Sequence, residues 1–217
     1  MKTPYDIYIF DLDGTLLNTL TDLHAACNHA LQECDMPLRT LDEVRRFVGN
    51  GVRKLMERAV PEGTNEEQVE QALICFRRYY LHHSLDTTRP YDGVCDLLDR
   101  LHRNGARMAI VSNKLHDATT NLCNRFFGKW IDVAVGEQED RGIRKKPAPD
   151  MVKEALRLLH AEGERTVYVG DSDVDLMTAE NAGLPCISVL WGFRDRDFLL
   201  AHGATTLVEK PEEIFPI

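Results

Sequence analysis

Ile7-Tyr8-Ile9-Phe10-Asp11-Leu12-Asp13-Gly14-Thr15-Leu16 is the stretch that decides the fold of this chain. An apolar run stops abruptly at two aspartates one residue apart, and a glycine then permits a tight turn. A short apolar run rich in β-branched and aromatic residues, closed by a turn signal, reads as a buried strand. In a parallel α/β sheet, ligands bind beyond the carboxyl ends of the strands. The run therefore delivers two carboxylates to the mouth of a site. Two such charges repel unless a cation joins them or one takes a proton. The pattern points to metal binding, to acid–base chemistry, or to both.

A second cluster repeats the design. Thr166-Val167-Tyr168-Val169-Gly170-Asp171-Ser172-Asp173-Val174-Asp175 is again a strand-like run followed by glycine and aspartates. Carboxylate oxygens from two strand ends suit a hard cation such as Mg²⁺ or Ca²⁺. One Asp after a strand ordinarily caps the next helix, but capping does not account for two clusters. Asp171, Asp173 and Asp175 also match the first, third and fifth positions of a calcium loop. That pattern needs Gly at its sixth position and Glu at its twelfth, where this chain has Leu176 and Ala182. The calcium-loop reading is rejected.

The 217 residues suffice for one large domain or a core with a smaller insert. A net charge of -9 argues against a general nucleic-acid binder. It leaves room for a phosphorylated substrate, since Mg²⁺, Lys and backbone N–H groups neutralise phosphate locally. The six cysteines, Cys27, Cys34, Cys75, Cys95, Cys123 and Cys186, form no CxxC pair, and the eight histidines form no HExxH, so a zinc site is not expected. No leader and no long apolar run are legible, so the expected setting is a reducing cytoplasm with no membrane partner.

Strand candidates lie at 5–10, 107–112, 131–135, 166–169 and 185–190, and helical patterns separate them. One helix is expected over 92–104, with Gly105 as its stop, and another over 150–160, with Asp150 as its cap. Alternation of this kind implies a mainly parallel sheet covered on both faces. From about residue 19 to residue 85 the alternation breaks. Leu20, Leu23, Cys27, Ala30 and Leu31 follow a helical period, as do Val52, Leu55, Met56 and Ala59, and then Val69, Ala72, Leu73 and Phe76. An all-helical insert after the first strand is expected. Such inserts act as lids or specificity elements, and this one would hinge near Leu17 and Asp86.

Two further segments complete a site. Val111-Ser112-Asn113-Lys114 ends the second strand with a hydroxyl and an amide, both able to hold a phosphate oxygen. Arg144-Lys145-Lys146-Pro147-Ala148-Pro149 offers a cation just before a helix. Alone, the first is an ordinary turn and the second a solvated charge pair. Their weight comes from the series in which they stand.

That series resembles the haloacid dehalogenase superfamily of aspartate-dependent phosphohydrolases, over the whole chain. Asp11-Leu12-Asp13-Gly14-Thr15 is similar to its first motif, Ser112 to the second, Lys146 to the third, and Gly170-Asp171-Ser172-x-x-Asp175 to the fourth. The resemblance implies a Rossmann-like core of residues 1–16 and 87–217, with a helical cap of residues 17–86. It implies Asp11 as nucleophile, forming an aspartyl-phosphate. Asp13 would be the general acid for the leaving alkoxide and then the base toward water. Mg²⁺ would be held by Asp11, Asp171 and the backbone carbonyl of Asp13. Thr15, Ser112, Asn113 and Lys146 would bind the phosphoryl oxygens, Lys146 being preferred to Lys145 because it precedes Pro147. Asp175 would support the site by orienting Lys146 or a metal-bound water. Dehalogenases of the superfamily lack the second Asp, because a halide needs no proton, so Asp13 favours phosphoryl transfer.

The cap is similar to that of phosphoglycolate phosphatases, on the stretch from Asp11 to Thr19 and on Phe47-Val48-Gly49-Asn50-Gly51-Val52-Arg53. Gly49 and Gly51 permit close backbone approach, and Asn50, Arg53 or Lys54 would meet a substrate carboxylate at a helix start. Asn18-Thr19 stands where that group usually has Asp-Ser. The reading is a Mg²⁺-dependent phosphatase of a small phosphorylated metabolite, phosphoglycolate first. Its alternatives are a pyrophosphatase, a sugar-phosphate phosphatase, a β-phosphoglucomutase-like enzyme, a phosphonate-cleaving relative using Lys54, and a non-catalytic protein that binds a phosphorylated ligand. The sequence assigns no oligomeric state.

Overall fold

A computed structural model describes residues 3–161 and 163–215. In chain order the elements are β1 (Ile7–Phe10), β2 (Leu17–Asn18), α1 (Leu20–Glu33), α2 (Leu41–Phe47), α3 (Val52–Ala59), α4 (Glu66–His83) and β3 (Arg89–Pro90). There follow α5 (Val94–Arg103), β4 (Arg107–Leu115), α6 (His116–Phe126), β5 (Val133–Glu137), α7 (Asp150–Leu158) and β6 (Thr166–Gly170). The chain ends with α8 (Asp173–Ala182), β7 (Cys186–Val189), α9 (Arg196–Ala201) and β8 (Leu207–Val208). It divides into two compact units, Met1–Leu17 with Pro90–Ile217, and Asn18–Arg89.

The larger unit holds a six-stranded sheet in the order β5-β4-β1-β6-β7-β8, with every pairing parallel. β1 is central because it is wholly apolar and can bury both faces. Tyr8 and Phe10 pack on one side with Leu97, Leu98 and Leu101 of α5 and with Phe127. Ile7 and Ile9 pack on the other with Met151, Val152 and Ala155 of α7. Phe10 pairs with Ile110 of β4 and with Val169 of β6, so β1 and β6 end within one residue of each other while β4 runs on past them to Leu115. The order reverses at β1, whose neighbours β4 and β6 both come from later in the chain. That reversal is where open α/β sheets bind ligands.

The smaller unit is helical. Its interior is formed by Leu23, Ala26, Cys27, Ala30 and Leu31 of α1 with Val69, Ala72, Leu73 and Phe76 of α4, all buried. Capping boxes start α2 at Thr40 and Glu43 and α4 at Asn65 and Gln68, each satisfying otherwise orphaned N–H groups. Near its end, the buried Asp22 carboxylate of α1 accepts hydrogen bonds from the N–H and hydroxyl groups of Thr87 and Thr88. Among the described residues, no helix is long and apolar enough to cross a membrane.

Sequence expectation and structure differ in detail. β4 runs three residues past the expected end, to Leu115. β2, β3 and β8, each of two residues, carry too little pattern to read. Pro149, not Asp150, occupies the cap position of α7. The Asp150 carboxylate instead accepts hydrogen bonds from the Arg144 backbone and guanidinium at 2.8–3.2 Å, because an ion pair outcompetes a local cap.

Candidate active site

Beyond β1 the chain turns back on itself. The Leu12 carbonyl accepts from the N–H groups of Leu16 and Leu17, and Gly14 N–H donates to the Leu17 carbonyl at 2.9 Å. This turn holds Gly14 at φ +91°, and a Cβ there would collide with the Asp171 carboxylate. Glycine is needed on both counts. The turn leaves Asp11 and Thr15 buried at the sheet's carboxyl edge. From β6, Asp171 and Asp175 reach the same place. Ser172 caps α8 in a capping box with Asp175, which turns the Asp175 side chain inward, back over the strand end.

Lys146 organises the centre. Its ammonium lies 2.7 Å from Asp11 Oδ1 and 2.7 Å from Asp175 Oδ1. Asp175 Oδ1 also accepts from the Tyr168 hydroxyl at 3.2 Å, and its Oδ2 accepts from Ser172 Oγ at 2.6 Å and from the N–H groups of Asp171 and Ser172. With both oxygens so fully engaged, Asp175 is an anchor for the lysine. Asp171 accepts from Thr15 Oγ1 at 3.3 Å and from the Phe193 N–H at 2.7 Å. Asp13 stands apart from this group, with Oδ2 3.2 Å from Lys114 Nζ. Ser112 is buried, and its Oγ accepts from the Lys114 N–H at 3.3 Å.

The electrostatics follow from crowding. Burial, then the neighbouring Asp175, pushes the Asp11 carboxyl well above the usual range, against the pull of Lys146. Burial and Asp175 also push Asp171 up to about 7, although the Phe193 N–H opposes the shift. Burial alone would lower Lys146, but Asp11 and Asp175 outweigh it and hold the ammonium charged. Carboxylate oxygens of Asp11, Asp171 and Asp175 lie within 4.8 Å of one another. Three carboxyl groups facing one ammonium leave up to two negative charges uncompensated, which is the deficit a divalent cation supplies. An all-oxygen donor set is the kind Mg²⁺ prefers. The residues present therefore fit such an ion.

Of the residues singled out in the sequence, the structure brings together Asp11, Thr15, Lys146, Asp171 and Asp175. Asn113, expected as a phosphate contact, holds the backbone of Lys146. Its Oδ1 accepts from Lys146 N–H at 2.8 Å and its Nδ2 donates to the Lys146 carbonyl at 3.1 Å, so its amide fixes the lysine's backbone. Within the helical unit, Gly49 and Gly51 do take positive φ, 129° and 83°. The Arg53 guanidinium pairs with Glu66 and Glu70 of α4. Asn50 accepts from Arg58 at 2.7 Å, and Lys54 pairs with Glu57. Asp173 Oδ1 lies 3.8 Å from the Arg194 guanidinium. Lys114, Tyr168 and the Phe193 N–H were not singled out. Lys114 carried a signal, as a cation two residues past Ser112 at a strand end. The Phe193 N–H carried none, being a backbone group placed by the loop after β7.

Residues 8–189 match the sequence model of the haloacid dehalogenase-like hydrolases. The chain belongs to that family. A phosphoglycolate phosphatase of Aquifex aeolicus is 33% identical over 188 residues, 86% of this chain and 85% of the relative. Phosphoglycolate phosphatase 1 of Pseudomonas aeruginosa is 31% identical, with 97% of this chain and 78% of the relative aligned. A crystal structure of a candidate phosphoglycolate phosphatase from Lactobacillus delbrueckii subsp. bulgaricus matches with a TM-score of 0.90 at 35% identity, covering 99% of this chain and 97% of that one. This haloacid dehalogenase-like hydrolase is a phosphatase, acting on phosphoric monoesters.

Proposed function

We propose that this phosphatase is Mg²⁺-dependent, works through a phosphorylated Asp11 and takes phosphoglycolate as its substrate. The observation that carries the reading is the buried cluster itself, Asp11, Asp171 and Asp175 around the Lys146 ammonium. Asp11, Asp171 and the Asp13 carbonyl would hold the ion. Bound there, Mg²⁺ would screen the repulsion between a phosphate dianion and the carboxylates. The substrate assignment is supported by the names of the relatives, each at 31% identity or more.

The chain's own residues divide the work as follows. An Asp11 carboxylate oxygen forms a bond to phosphorus as the bond from phosphorus to the ester oxygen breaks. Asp13 gives its proton to the departing oxygen, then takes one from the water that releases phosphate and restores Asp11. Ser112 and Lys146 hold equatorial oxygens whose charge rises in the transition state. Asn113 and Asp175 keep Lys146 in place, by its backbone and its ammonium respectively. Thr15 steadies Asp171. The helical unit, residues 18–89, is read as the cap. A cytoplasmic setting is proposed from the six free thiols.

The test is phosphate release from a panel of phosphorylated metabolites, with Mg²⁺ or EDTA, for wild type and Asp11→Asn. Release that needs Mg²⁺, peaks on phosphoglycolate and disappears in Asp11→Asn is the expected result. A peak on another monoester would overturn the substrate and keep the mechanism. Release that survives Asp11→Asn would remove the covalent step.

A further inference from the structure

Lys114 is a second cation at the site, and no motif accounts for it. Its Nζ lies 3.2 Å from Asp13 Oδ2, with its side chain 7% exposed against 16% for Asp13. The other oxygen, Asp13 Oδ1, is buried and accepts no hydrogen bond. The two oxygens are therefore unequal. An ammonium only donates, so Oδ2 is engaged as an acceptor. That leaves Oδ1 as the carboxyl oxygen with no protein partner. The torsion that turns a carboxyl plane is broad and roughly two-fold, so the carboxyl plane needs an external anchor to keep this order. Lys146 does not provide one, being spent on Asp11 and Asp175.

We infer that Lys114 is a positioning residue for the leaving-group step, fixing the plane of the Asp13 carboxyl by holding Oδ2 so that Oδ1 is the oxygen presented to the departing group. This rests on the phosphatase reading above and deepens it. As the Asp11 oxygen bonds to phosphorus, the ester bond's electron pair goes to the leaving oxygen, and the Oδ1 proton follows it. In the second half, Oδ1 takes a proton from the attacking water. Lys114 keeps all its protons throughout.

A leaving group that needs no proton exposes the role. The test is kcat/KM, in Mg²⁺, for ethyl phosphate, acetyl phosphate and phosphoglycolate. It uses wild type, Lys114→Met, Lys114→Arg, Asp13→Asn and the double variant Lys114→Met with Asp13→Asn. General acids contribute about 100-fold to 10,000-fold. Losing the anchor should cost roughly 10-fold to 100-fold on ethyl phosphate and under about 3-fold on acetyl phosphate, whose leaving group departs unprotonated. Lys114→Arg should recover most of the loss, and the double variant should be no worse than Asp13→Asn. Equal losses on ethyl and acetyl phosphate would overturn the inference, and so would additive losses in the double variant. A loss confined to phosphoglycolate would make Lys114 a contact for the substrate carboxylate instead. Should Lys114→Met not fold by thermal unfolding, Lys114→Gln carries the same comparison. Failure of the phosphatase reading is distinguishable: wild type would then release no phosphate from any of the three, and the inference would go with it.

Discussion

Asp22→Ala should destabilise the protein far more than the loss of a typical polar side chain. Asp22 is 2% exposed, and its carboxylate gathers four donors from two adjacent residues. Thr87 is exposed, so water can replace the carboxylate for its N–H and hydroxyl. Thr88 is buried, and its N–H (2.9 Å) and hydroxyl (2.8 Å) would be stranded. A buried polar group left without a partner costs about 1–3 kcal/mol, so the two together predict a loss of roughly 2–6 kcal/mol. Urea denaturation at pH 7 would measure it as a lower midpoint at unchanged slope. The effect should also depend on pH. Burial raises the Asp22 pKa, but the hydrogen bonds from Thr87 and Thr88 outweigh it and the net shift is downward. A carboxyl with a lowered folded pKa stabilises fully above its unfolded value and loses that stabilisation as pH falls through the folded one. The gap between wild type and Asp22→Ala should therefore be widest above about pH 5 and close in stronger acid. A loss below about 1 kcal/mol at pH 7 would refute the argument, since it would mean that the Thr88 donors find water.

Two further outcomes follow from the site. Gly14→Ala forces a Cβ onto the Asp171 carboxylate at a positive φ, and should cost about 1–3 kcal/mol in stability and most of the turnover. Wild-type stability and activity in that variant would show that the turn relaxes freely. Mg²⁺ at about 100 times its Kd should add roughly 2.7 kcal/mol to wild-type stability, read as a rise in Tm, and Asp171→Asn should abolish the rise. An undiminished rise would place the ion elsewhere.

The parallel α/β core was legible because its signals are local: apolar runs of strand length, each followed by polar turn residues. The acidic strand ends were legible for the same reason, and Asp11, Lys146, Asp171 and Asp175 do meet. What could not be read was how neighbouring side chains share partners. Asn113 and Arg53 were assigned by residue type, as polar groups available to a ligand. In the structure Asn113 also holds the Lys146 backbone, and Arg53 pairs with two glutamates 13 and 17 residues away. Lys114 was overlooked for the converse reason. Its value depends on the distance to Asp13, a separation of 101 positions in sequence that only the pairing of β1 with β4 makes small.

The central place of β1 also constrains how the protein is made. β1 leaves the ribosome well before both strands that flank it, β4 and β6. Asp171 follows Asp11 by 160 residues, a delay of roughly 8–32 s at about 5–20 residues per second. Until β4 emerges this wholly apolar strand has neither neighbour, and a nascent chain stalled before β6 displays it with one edge open. Synthesis rate and chaperone capture should therefore matter most for this segment, and a truncated product ending before residue 166 is the form most prone to aggregate.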